Sequence, residues 1–194
     1  MMVVAAALYE GYQSAAQVVS ELSAIGAPTR PLWVELSPVY SLLMIAFGWG
    51  VRQSADGDRR LRVAGGLFML VAVVGFFWPP MHQREVLAAG GGTVSDTLHI
   101  VFTAVCIPLT MVAYGFAAAA FGKGFRRYTI VSILVMIGFG VMTGIDSPAM
   151  EANEPTPWIG VWERIGIGAQ MLWVMVLAVL LVRKEEGALS VPVN

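Results

Sequence analysis

Charge is scarce in this chain of 194 residues. Asp, Glu, Lys and Arg together make up 13% of it, where a soluble domain carries about a quarter. With 57% hydrophobic residues and a mean hydropathy of +0.72, the solvent for most of its surface is lipid. Cysteine is almost absent: Cys106, between Val105 and Ile107, stands alone. One cysteine excludes an intrachain disulfide and a cysteine-built zinc site, and Cys106 reads as a small buried hydrophobe. The formal net charge of −1 gives no argument for a nucleic-acid partner. Glycine-rich phosphate and dinucleotide fingerprints are also missing, because Gly90, Gly91 and Gly92 lack the strand, the lysine and the helix such motifs need.

The apolar residues fall into runs of membrane-spanning length, for which about 20 residues are needed. Residues 32–51, 96–121, 128–145 and 160–182 meet this, and the compact run 63–78, ended by two prolines, is read as a further span. Trp33 and Tyr40 sit near the start of the first, where aromatic rings favour the interface. Pro38 and Pro108 are expected to bend their helices, and Pro79 with Pro80 ends the second. The N-terminal MMVVAAAL is too short to span and lacks a signal peptide's basic region and cleavage site. It reads as the remainder of a first transmembrane helix, through truncation or a mis-assigned start. In SAAQVVSELSAIGAP, Ala15, Val18, Val19, Leu22 and Ile25 recur at helical spacing, so a short interfacial helix is expected there. The architecture expected is all-α: a polytopic transmembrane helical bundle, residues 1–194 forming one integral membrane domain, with about five full spans and a partial N-terminal helix.

Orientation follows from the basic residues. The 52–62 loop, the 123–127 turn and the tail from Arg183 hold nine of the twelve, and the alternation of spans allows all three on one side. Short cytoplasmic loops carry excess Lys and Arg, so this side and the C-terminus are expected in the cytoplasm of a multi-pass cell-membrane protein. The opposite, acidic side then holds both histidines. Ser95 is the expected N-cap of the third span, with Asp96 in its first turn.

Candidate chemistry is concentrated on that acidic side. Asp96 and His99 are three apart and share a helix face. With His82 they could ligate a divalent metal such as zinc or position a water for attack on an ester, amide or phosphate bond. Equally, Asp96 could cap the helix and bond His99, with His82 solvated. Arg164, beside Glu163 at the mouth of the last span, is expected to pair with Asp96, Asp146 or Glu21, or to hold an anionic lipid headgroup or substrate.

Three stretches, SAAQVVSELSAIGAP, WPPMHQRE with SDTLHIVF, and WERIGIGAQMLW, together resemble the domain-of-unknown-function 998 family of prokaryotic integral membrane proteins. The resemblance covers nearly the whole chain. It implies about six helices, the first of them largely missing here, and family-like positions at Ser20, Glu21, Pro80, Asp96, His99 and Arg164. The family's phenylalanine-proline-x-aspartate is replaced by WPPMH, which shifts any role of that aspartate to His82 or Asp96. The family carries no established activity. A looser likeness of layout links the Ser, Asp and His residues to ceramidase-like zinc hydrolases, although a third histidine and the His-x-x-x-His motif are absent.

Three functional classes follow. A membrane-embedded hydrolase acting on a lipid-like molecule would use His99 and His82 as metal ligands or bases, Asp96 to orient His99, and Arg164, Glu21 and Ser20 for the substrate. A structural or sensory protein would use the same groups to fix its helices. A small transporter is disfavoured by the apolar inner halves of the spans.

Overall fold

The computed structural model describes residues 1–189. Helix α1 spans Met2–Leu8 and is followed by an irregular segment holding a 3₁₀ turn at Val19–Ser23. Then come α2 (Arg30–Gln53), α3 (Arg59–Gly75), the short α4 (Arg84–Ala88), α5 (Val94–Ala119), α6 (Lys123–Glu151) and α7 (Ile159–Leu189). Among the described residues there is no strand, and the polytopic all-α bundle is what the sequence leads one to expect. The C-terminus itself lies outside the described residues.

Four of the helices, α2, α5, α6 and α7, are long and apolar enough to cross a membrane. The chain is therefore a multi-pass membrane protein with lipid as its surroundings. The fifth expected span, α3, has 17 residues and reaches about 25 Å at about 1.5 Å per residue; it lies between α2 and α5. Large side chains such as Leu134, Val141, Ile145 and Met171 are more than half exposed, the surface expected where lipid is the neighbour.

Backbone packs on backbone where α2 crosses α3. A Cβ on Gly48 would lie 2.8 Å from the Gly65 carbonyl oxygen, and one on Gly65 would lie 2.9 Å from the Arg52 nitrogen. Small residues that admit such an approach are the usual solution in lipid, where apolar burial alone cannot drive association. Deeper in, an aromatic stack unites four helices: Tyr114 of α5 lies face to face on Trp173 of α7 at 3.8 Å, with Phe68 of α3 and Phe125 of α6 against the same indole. The indole N–H donates to Thr129 Oγ1 at 2.9 Å, so the polar edge of the ring is satisfied.

Three local expectations are corrected. Residues 14–28 do not form an amphipathic helix; their backbone is engaged by groups from α4 and α7, which outcompete local helical bonds. Helix α6 continues through Pro148 to Glu151, so the acidic loop is shorter than 146–158. The N-cap of α5 is Thr93 rather than Ser95: the Ser95 N–H donates to Thr93 Oγ1 at 3.3 Å and the Thr93 N–H to Asp96 Oδ2 at 2.8 Å, forming a capping box. Ser95 instead donates its hydroxyl to the Pro80 carbonyl at 2.6 Å. Pro38 and Pro108 lie inside α2 and α5 without ending either helix.

Candidate functional site: a polar cap over one end of the bundle

Residues 9–29, the 79–93 connection and the start of α7 meet at one end of the bundle and form a cap. Its centre is an ion pair. Arg84, 8% exposed at the head of α4, meets Glu21, 2% exposed in the 3₁₀ turn. The contact is bidentate, with Arg84 Nε on Glu21 Oε1 at 2.7 Å and Nη2 on Oε2 at 2.8 Å. This is the fork geometry that makes arginine–carboxylate pairs both strong and directional.

Further bonds engage both groups. Arg84 Nη1 donates to Thr156 Oγ1 at 3.1 Å, and Nη2 to the Ala16 carbonyl at 3.1 Å. Glu21 accepts the Val18 N–H at 2.8 Å and the Gln17 amide at 3.3 Å. The hydrogen bonding to Glu21 holds the Arg84 guanidinium above its usual pKa despite burial.

A second knot ties the same segment to α7. Arg164 Nη1 donates to the carbonyls of Ser14 at 2.6 Å, Gln17 at 3.0 Å and Gly160 at 2.9 Å, while Nη2 donates to the Tyr12 hydroxyl at 2.7 Å. Tyr12 in turn donates to the Val18 carbonyl at 2.8 Å, and its ring lies under the guanidinium at 5.6 Å. Burial pushes the Tyr12 hydroxyl up to about 12, against the lowering influence of Arg164. The carboxylate of Glu163 accepts the Val19 N–H. Gly160 makes this approach possible, since any side chain there would enter the space of the Ser14 and Gln17 carbonyls.

The third element is the Asp96 carboxylate, which gathers four donors: the Thr93 N–H and hydroxyl at 2.8 and 3.1 Å, and the His82 N–H and Nδ1 at 2.6 and 2.9 Å. A carboxylate only accepts, so His82 carries its proton on Nδ1. His82 is further fixed by a parallel bridge to Ile25, whose N–H donates to the Met81 carbonyl at 2.7 Å.

The expected site residues are thus redistributed. His82 and Asp96 come together. His99 does not bond Asp96; its Nδ1 meets the Pro79 carbonyl at 2.7 Å, and its ring packs edge-on to Trp78 at 5.8 Å. Asp96 turns away from it because the capping box and His82 already fill its lone pairs. Glu21 pairs with Arg84, not with Arg164, and Arg164 finds backbone carbonyls because Gly160 brings that chain against it. Ser20 lies beside Glu21 in the 3₁₀ turn, its carbonyl accepting the Ser23 hydroxyl at 3.0 Å.

Among the described residues no three His, Cys, Asp or Glu side chains form a group that could hold a metal ion. His82 and Asp96 are in contact, and His99 bonds elsewhere. The partners that sequence reasoning missed are Arg84, Tyr12, Thr156 and Gly160. Only the placement of Arg84 in WPPMHQRE, in the polar loop that follows the two prolines and carries His82, hinted at a role.

Neither a curated protein nor a solved structure matches this chain. A fold of spanning helices closed by a cap that the SELSAIGAP, WPPMHQRE and WERIG stretches build together does have a family: the model of the protein-of-unknown-function family DUF998 matches residues 1–180, and the chain belongs to that family.

Proposed function

We propose that the chain is a single integral membrane domain of non-catalytic, structural or sensory function. In this reading the cap is its rigid extracytoplasmic part, and the basic loops, with the C-terminus, lie in the cytoplasm. The observation that carries this reading is the closed Arg84–Glu21 network, in which every nitrogen of the guanidinium and both oxygens of the carboxylate, two buried charges, have a protein partner. A catalytic carboxylate or cation keeps a face free for its substrate, and this pair keeps none. Orientation is supported by the positive-inside tendency, since 52–62, 123–127 and Arg183–Lys184 all fall at the end opposite the cap.

A second reading keeps the hydrolase. Asp96 orients the His82 ring through Nδ1 and leaves Nε2 as a base, with the His82 side chain 16% exposed. The expected substrate role of Arg164, Glu21 and Ser20 would then require the cap to open, because Glu21 and Arg164 are engaged by protein partners.

One experiment separates the two. The purified protein, with His82→Ala and His99→Ala beside it, is assayed for divalent metal content and for hydrolysis of lipid esters and amides. The structural reading expects no turnover and no metal lost in either variant. Turnover abolished by His82→Ala, or about one ion per chain lost in both, would overturn it. Reporter fusions at the C-terminus and in the 81–83 segment test the sidedness.

A further inference from the structure

The opposite end of the bundle contains a cavity of about 480 Å³, where the α2–α3 turn, the α5–α6 turn and the last part of α7 converge. Its floor is apolar, built from Leu61, Phe121 and Leu180, and its rim carries charge. The carboxylates of the rim are already committed. Asp56 pairs with Lys184 at 2.9 Å, and Asp58 caps α3 by accepting the Arg60 N–H at 2.7 Å and faces the Arg60 guanidinium, its Nε at 3.5 Å. Arg183, exposed on the rim, pairs with no carboxylate among the described residues. Two further guanidiniums border the cavity: Arg60 and Arg126 both donate to the Ala119 carbonyl, one residue from Ala120 in the wall.

We propose that this cavity binds the phosphate headgroup of an anionic phospholipid. The phosphate sits against Arg183 within the field of Arg126, and the glycerol and upper acyl chain lie on Leu61, Phe121 and Leu180. Three features select this occupant. A cationic ligand would meet uncompensated positive charge, because both rim carboxylates are neutralised. A free phosphate leaves the apolar floor and most of the volume unfilled, whereas 300–1,000 Å³ is roughly the size of pocket that suits larger organic ligands. An arginine fork is the side chain best matched to phosphate oxygens.

The test uses the full chain in detergent micelles, with native mass spectrometry for retained lipid and thermal unfolding for stabilisation. Phosphatidylglycerol, phosphatidylcholine and soluble glycerol phosphate are each added to the wild type, to Arg183→Gln and to Arg127→Gln, a control in the α5–α6 region outside the cavity wall. The proposal expects one phosphatidylglycerol retained per wild-type chain and a raised unfolding temperature. It expects retention reduced about tenfold by Arg183→Gln, the scale of one lost charge-assisted contact, and unchanged by Arg127→Gln. Equal retention of phosphatidylcholine, or equal loss in the two variants, would overturn it. Stabilisation by glycerol phosphate as large as that by the lipid would assign the site to soluble phosphate esters and overturn the lipid proposal.

Discussion

The two ends of this bundle use the same chemistry to opposite effect. At the cap, Arg84 and Glu21 meet at 2.7 Å with side chains 9% and 3% exposed; at the other end, Lys184 and Asp56 meet at 2.9 Å with side chains 39% and 74% exposed. Distance does not distinguish the pairs; burial does. A buried pair holds its geometry because either charge alone would be stranded away from water, while an exposed pair can exchange its partner for solvent at almost no cost. The cap is therefore a fixed part, and the arginine-rich end is a surface still available to a ligand.

The largest expected effect comes from breaking the buried pair at one partner. Glu21→Ala leaves Arg84 charged, with Thr156 and Ala16 as its only acceptors, and Arg84→Ala strands Glu21. Each should cost about 3–5 kcal/mol, read as a lowered midpoint of thermal unfolding in detergent. The double variant should cost clearly less than the sum, since the stranded charge is gone in both. Strict additivity would mean that the pair is not coupled and the comparison fails.

Next comes Gly160→Ala. Its new methyl group meets two main-chain carbonyl oxygens and Arg164 Nη1 at 2.7 Å, and neither carbonyl can swing aside without releasing Arg164. Overpacking of this kind costs about 1–3 kcal/mol. The same substitution at Gly138 or Gly140 of α6, where a Cβ meets nothing within 4 Å, should be neutral or slightly stabilising by helix propensity. A similar loss at all three positions would show that replacing a helical glycine, not crowding of the cap carbonyls, governs the effect.

A smaller loss, about 1 kcal/mol, is expected for Asp96→Ala, which removes one side of the α5 capping box. The alkaline limb sharpens the contrast further. The Tyr12 hydroxyl titrates near 12 in the folded chain and near 10 when unfolded. The folded state thus binds the proton more tightly, and the stability Tyr12 contributes is complete below pH 10 and declines as the pH rises from 10 towards 12. Hydrogen exchange of the Val18 and Val19 amides should accelerate over that window beyond its intrinsic rise, and Tyr12→Phe should remove that component.

How legible this was in the sequence differs by scale. The spanning helices were readable because apolar runs bounded by Pro79–Pro80, Arg52 and Lys123 reflect one dominant force, exclusion of polar groups from lipid. The cap was legible only in part. Glu21, Asp96, His82, His99 and Arg164 all lie in it, yet three of the expected pairings were different, because pairing depends on which loop crosses which helix end. Periodicity pointed to a helix at 14–28, where the structure instead spends the carbonyls of Ser14, Ala16 and Gln17 on Arg164, Arg84 and Thr156. That outcome needs Gly160 and the 79–84 turn in place, and no local pattern encodes either.

The smallest expected effect is the most discriminating. Asp56→Ala removes the carboxylate facing Lys184, whose ammonium keeps the Ser54 carbonyl at 2.9 Å and water. With Asp56 three-quarters exposed, the loss in stability should stay within ~0.5 kcal/mol, an order below that of Glu21→Ala. Affinity should move the other way. With Asp56 gone, Lys184 is freed toward the cavity beside Arg183, so an anionic lipid should bind more tightly while the fold is unchanged. If Asp56→Ala unfolded the protein as Glu21→Ala does, the open end would be as structural as the cap, and burial would not be what separates the two pairs.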